Sequence, residues 1–265
     1  MSARRLVLFD VDGTLLSSGR RGLAAFSEAL RRTFGTEGDL AGYRFEGKLD
    51  PVIVHELMRA AGIPEAVVAE RRDAALSLYL DLLEEALAVE PPALKPGAAE
   101  LVARVSASPE ALSALLTGNV RRGARIKLTA AGLWDRFRFG VFGDEAWRRV
   151  DLGPIALARA LELTGREFSP AETVVVGDAR ADVECGRAIG ARVVAGPEEG
   201  RLVGRQAPSR DDRLRLGRGL PPRRGDRSRP GRAAHRRGPL WREDGRLHRH
   251  RRVRLARVGD PRWCR

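Results

Sequence analysis

Through residue 195 the apolar positions of this chain fall into two patterns, continuous short runs and repeats of three to four residues, and beyond it neither persists. Leu6–Phe9 is an unbroken apolar run, the signature of a strand buried on both faces. From Gly22 to about Phe34, the residues Leu23, Phe26, Leu30 and Phe34 recur at helical spacing. A second helix is expected after Gly47-Lys48-Leu49, with Asp50 as its N-cap and Pro51 in its first position, running through Val54, Leu57 and Met58 to near Gly62. A third, from about Pro64 to Ala88, is apolar on one face and charged on the other. Helix and strand then alternate: helix 97–106, strand 111–116, helix 119–131, a short strand at 139–142, helix 154–164, strand 173–177, helix 180–189 and strand 192–195.

Such alternation predicts an α/β fold, a doubly wound parallel sheet with helices on both faces. The three early helices form an insert between the first strand and Pro91-Pro92. The expected organisation is an α/β core of residues 1–16 and 92–195, a helical cap at 17–91 set over the sheet's carboxyl edge, and a tail at 196–265.

Charge changes the picture at that tail. The formal net charge is +13, yet residues 201–265 carry 22 Arg, no Lys and six acidic residues, a net of +16. Residues 1–200 therefore hold 26 basic and 29 acidic residues, an ordinary and slightly acidic globule. With few large apolar residues, the tail has too little core to offset chain entropy and is expected to be disordered. It reads either as a basic arm for nucleic acid or, the preferred reading, as GC-rich coding DNA read out of frame. Two cysteines, Cys185 and Cys264, give neither a disulfide framework nor metal-ligand spacing. The apolar run before Asp10 is too short for a signal peptide, and no stretch nears the ~20 apolar residues of a membrane span. The expected setting is reducing and cytoplasmic, with no membrane partner.

The chemistry lies at the strand ends. Asp10 and Asp12 follow the first strand at i, i+2, a spacing that points both carboxylates to one side. Ligands of open α/β sheets gather beyond the carboxyl ends of the strands. The stretch Leu115-Leu116-Thr117-Gly118-Asn119 ends a second strand in a hydroxyl, and Val174-Val175-Val176-Gly177-Asp178 ends a third in a carboxylate, with Asp182 four residues on. Carboxylates converging at one place repel one another by ~4 kcal/mol per pair at about 4 Å and an effective dielectric near 20. A hard, oxygen-liganded ion such as Mg²⁺ relieves that repulsion. Asn119 reads first as a helix cap and second as a substrate contact. His55 reads as a structural histidine.

The ordered set DVDGT, LLTGN and GDxxxD resembles the haloacid dehalogenase-like hydrolases over roughly residues 4–195, in particular their phosphoglycolate phosphatase-like members with a helical cap. The resemblance implies a phosphatase acting on a small phosphorylated metabolite, with Asp10 as nucleophile and Asp12 as acid/base. It implies that Thr117, backbone N–H groups at the following helix and Gly118 meet the phosphoryl group. Mg²⁺ would be held by Asp10, the Asp12 carbonyl, Asp178 and Asp182. A cation is expected on the phosphoryl group. Arg149 is the first choice, Arg148 and Lys127 are its rivals, and Lys127, mid-helix, is expected to face solvent. Lys48 sits in the cap's substrate loop, where relatives carry Gly-x-Thr-Asp and this chain has Leu49. The second aspartate, Asp12, argues against a dehalogenase. A phosphonatase would need Lys48 as its Schiff-base lysine, and a sugar-phosphate mutase shares all the core residues. Relatives usually continue past residue 195 with a closing strand and helix. A non-catalytic remnant and a nucleic-acid-binding protein working through its tail are the remaining alternatives.

Overall fold

The computed structural model describes residues 3–195. The expectations for residues 196–265, a disordered basic arm or a frameshifted tail, lie outside the described residues.

Five parallel strands form the main sheet in the order β5-β4-β1-β6-β7, with β1 (Arg5–Phe9) at its centre. The others are β4 (Ala111–Leu116), β5 (Phe139–Val141), β6 (Thr173–Gly177) and β7 (Arg192–Ala195). The pleat of β1 divides its side chains between the two faces. Leu6 and Leu8 pack with Leu152, Ala156 and Ala160 of α6 (Leu152–Thr164) and Val183 of α7 (Arg180–Ala188). Val7 and Phe9 pack on the other face with Val102 of α4 (Ala98–Ala107) and Ala124 and Leu128 of α5 (Arg121–Ala130). Both faces are thus covered, which is why these strands read as continuous apolar runs. This is the doubly wound sheet expected from the alternation of elements.

Helices α1 (Gly19–Phe34), α2 (Asp50–Ala60) and α3 (Glu65–Val89) build a core of their own around Phe26, Val54, Met58, Tyr79 and Leu83. The buried positions of α3 (Val68, Ala75, Leu76, Tyr79, Leu80, Leu83 and Leu87) keep the helical repeat over its 25 residues. Val120, just before α5, joins that cluster and so packs the insert onto the sheet domain. No helix among the described residues is long and apolar enough to cross a membrane.

Four local features differ from the sequence expectations. Two two-residue strands, β2 (Leu16–Ser17) and β3 (Ala93–Leu94), pair antiparallel where the insert leaves and rejoins the sheet domain. They are too short to carry a periodic signal. Helix α1 begins at Gly19 rather than Gly22, and α6 begins at Leu152 after a 3₁₀ turn at Arg149–Asp151. Asp50 is not an N-cap: Leu49 holds that position, and the Asp50 carboxylate accepts from the Val120 N–H at 2.9 Å across the domain seam. Helix α5 starts at Arg121 with Val120 as its N-cap, so Asn119 does not cap it.

Candidate active site

Asp10 is the first residue past β1, and its N–H still bonds the Val176 carbonyl at 2.9 Å. The ladder therefore fixes its backbone between β4 and β6. Thr117 is placed in the same way one strand over, its N–H bonding the Val141 carbonyl at 3.1 Å. The chain then turns sharply at Gly13, whose φ of +86° strains any residue with a side chain. A Cβ there would also overlap the Asp178 carboxylate, so glycine is required on both counts.

Asp10, Asp178 and Asp182 converge: each offers an oxygen within 4.8 Å of the others. Arg149 reaches them from the 3₁₀ turn. Its Nη2 donates to Asp10 Oδ1 at 2.8 Å, to the Leu116 carbonyl at 3.0 Å and to Asp182 Oδ1. Asp182 Oδ2 accepts from the Ala179 N–H at 3.1 Å, so both Asp182 oxygens are engaged. Asp178 Oδ1 accepts from the Thr14 hydroxyl at 2.6 Å.

One guanidinium faces three carboxylates, and the surplus negative charge shows in the titration. Burial pushes Asp10 above its ordinary range, with Arg149 pulling the other way. Burial, reinforced by the Asp10 charge, likewise raises Asp182. Asp178 is raised by burial and by Asp182. Arg149 is itself held charged, since the two carboxylates it bonds outweigh its own desolvation. An ion pair alone would lower the acids; burial and mutual repulsion win because the cluster is short of positive charge. A divalent cation suits that deficit, and an all-oxygen donor set suits Mg²⁺.

Asp12 turns away from this cluster. Its Oδ2 accepts from Asn119 Nδ2 and from Lys127 Nζ, each at 2.6 Å. Lys127 does not face solvent: its residue is 5% exposed and its ammonium is held charged by Asp12, Tyr79 and Asp50 against the desolvation penalty. The sequence carried a sign of this, because Val120, Ala124, Lys127 and Ala131 form one i, i+4, i+7, i+11 stripe. Arg148 lies on the surface beside Asp151.

These groups form the floor of a cavity of about 410 Å³ between the sheet edge and the insert. Asp10, Asp12, Lys48, Asn119, Arg149 and Asp178 line it, as does Gly118, where a Cβ would collide with the Lys48 carbonyl of the insert. Thr117 is fully buried behind it, its Oγ1 accepting from the Asn119 N–H at 3.3 Å. Two N–H groups at the start of α5 are engaged by carboxylates: Val120 donates to Asp50 and Arg121 to Asp144. Three buried polar atoms lack partners among the described residues, Ser18 Oγ, Asn119 Oδ1 and Arg149 Nε. Lys48 Nζ bonds Glu56 and the Tyr43 hydroxyl. Leu49 points into the sheet domain's core instead of the cavity, and His55 bonds Glu65 on the far side.

The model of the haloacid dehalogenase-like hydrolases matches residues 7–187. The CbbY protein of Rhodobacter capsulatus is 30% identical over 210 residues, which cover 74% of this chain and 86% of that protein. A phosphoglycolate phosphatase of Mesorhizobium japonicum is 30% identical over 196 residues, covering 73% of this chain and 82% of that one. Among solved structures, CbbY from Rhodobacter sphaeroides in complex with phosphate shares the fold, with a TM-score of 0.59 at 21% identity over 76% of this chain and 91% of that chain. The matched span takes in every site residue described above, from Asp10 after the central strand to Asp182 in α7, and the chain belongs to the haloacid dehalogenase-like hydrolase family as a phosphoglycolate phosphatase-like member.

Proposed function

We propose that this phosphatase hydrolyses a small phosphomonoester through an aspartyl-phosphate on Asp10, with Mg²⁺ bound at the Asp10, Asp178 and Asp182 cluster, in a cytoplasmic setting. The observation that carries the reading is a carboxylate fixed at the centre of the sheet edge, with a buried arginine and two further carboxylates beside it, on the floor of a cavity that faces the helical insert.

The chemistry divides into two displacements at phosphorus. An Asp10 oxygen attacks in line, the bond to the leaving oxygen breaks, and Asp12 gives that oxygen a proton. Water then attacks the phosphoryl group while Asp12 takes up its proton, and the bond to Asp10 breaks to release phosphate. Arg149, already charged, stabilises the negative charge on the phosphoryl oxygens, and its unpartnered Nε is a donor such an oxygen can use. Mg²⁺, when bound, neutralises the carboxylates and the phosphoryl group so that like charges can approach. Asp10 and Asp178 would hold it directly; Asp182 supports it by fixing Arg149. Asn119 Oδ1 and Lys48 face the side of the cavity where the remainder of the ester would lie. The insert supplies the facing wall of that space.

The test is hydrolysis of an aryl phosphate by the full chain with Mg²⁺. Activity is expected to vanish in Asp10→Asn and on chelation, and Mg²⁺ is expected to raise the melting temperature, since it binds the native state. Full activity in Asp10→Asn, or indifference to chelator, refutes the mechanism.

A further inference from the structure

We propose that Lys127 is a positioning residue for Asp12, and that it ties the acid/base carboxylate to the helical insert. This rests on the reading of Asp12 as acid/base. Helix α5 carries Lys127 on its inward stripe, and the ammonium lies 2.6 Å from Asp12 Oδ2. The Lys127 side chain is 6% exposed and that of Asp12 41%. A carboxylate that open needs no buried partner for its own solvation, whereas the lysine is fully desolvated to supply one. An apolar residue of the same length would fill the space at less cost.

What the lysine supplies is geometry. Asn119 Nδ2 and Lys127 Nζ both land on Oδ2, fixing the carboxylate plane from two directions. Among the described residues no hydrogen bond reaches Oδ1, which keeps its lone pairs for a proton in transit. The other groups facing the ammonium come from the insert: the Asp50 carboxylate from α2 and the Tyr79 hydroxyl from α3. Asp50 is also bound to the sheet domain through its own N–H, which bonds the Gly118 carbonyl at 2.8 Å, and through the Val120 N–H. The head group of Lys127 therefore rests between Asp12 on one side and two elements of the insert on the other.

The experiment is a leaving-group series on the full chain with Mg²⁺, from dinitrophenyl phosphate to simple alkyl phosphates. An aryloxide of low pKa departs without a proton, whereas an alkoxide needs one, and general acid catalysis contributes typically 10²–10⁴-fold. In Lys127→Met, kcat/KM is expected to fall about 10²-fold or more on alkyl phosphates and only a few-fold on dinitrophenyl phosphate. A lysine that only supports the fold, or only binds the substrate's phosphate, gives equal losses along the series, and that result overturns the inference. Circular dichroism and a melting curve show whether the variant is folded. If it is not, Lys127→Arg reads the same slope, because a planar guanidinium cannot place its charge where the ammonium sits. An unchanged slope there overturns the inference as well. Asp12→Asn is the control: if it leaves the series flat while the parent protein is active, the acid/base reading of Asp12 is the part that fails.

Discussion

Replacing Asp50 by Asn is expected to stabilise this protein above neutral pH and to do nothing for it in acid. Asp50 is a buried carboxylate in the first turn of α2, 9% exposed, and burial raises its pKa from 3.8 to about 6 despite the nearby Lys127. An acid whose pKa is raised by folding binds its proton more tightly in the native state. The stability it contributes is full below about pH 4 and is lost as the pH rises through about 6. The interval from 3.8 to about 6 corresponds to about 3 kcal/mol at pH 8, where the buried carboxylate must be ionised. Asparagine is isosteric, its carbonyl can still accept from Val120, and it carries no charge. Asp50→Asn should therefore exceed the parent by about 1–3 kcal/mol at pH 8, which is roughly 2–4 °C in melting temperature per kcal/mol for a protein of this size. Urea unfolding followed by tryptophan fluorescence at pH 4.5, 6 and 8 measures the gap, which should shrink toward zero as the pH falls. Equal destabilisation of Asp50→Asn at all three values would show that attraction to Lys127 outweighs burial, and the argument would be wrong.

Two further outcomes follow from the carboxylate cluster. Arg149→Met strands Asp10 and Asp182 as buried, unpaired charges, so it should cost about 3–5 kcal/mol of stability near neutral pH as well as activity; a melting curve unchanged from the parent would contradict the ion-pair assignment. Gly13→Ala should abolish hydrolysis by displacing Asp178, with only a modest effect on melting, and loss of the Mg²⁺-induced stabilisation would locate the defect at the metal site.

The sheet was legible because strands buried on both faces leave continuous apolar runs, and because each functional strand ends in a residue that a buried strand rarely carries. The end of β1 at Asp10 and that of β6 before Asp178 are of this kind. What escaped the sequence was what side chains do across the domain seam. Asp50 next to proline has the local grammar of a helix cap, but its partner lies 70 residues away at Val120. Asn119 looks like a cap for the same local reason, and tertiary placement sends it to Asp12. A lysine in mid-helix ordinarily belongs to the solvated face; the place of Lys127 on the stripe of Val120 and Ala124 outweighs its residue type only because Asp12, Asp50 and Tyr79 are there to receive its charge. Period alone reveals the stripe, but not the partners that make burying a charge there tolerable.

The paired strands β2 and β3 set the terms on which the insert can vary. Ser17 lies opposite Ala93 and Leu16 opposite Leu94, so the chain departs and returns at adjacent points on one rim of the sheet domain. In the folded protein the ribbon holds the two ends of the intervening segment together. The 18–92 segment is in this sense an exchangeable cassette. Transplanting a relative's cap at these two junctions should alter which esters are accepted while leaving the floor residues from Asp10 to Asp182 in register, because none of their backbone hydrogen bonds to the main sheet passes through it.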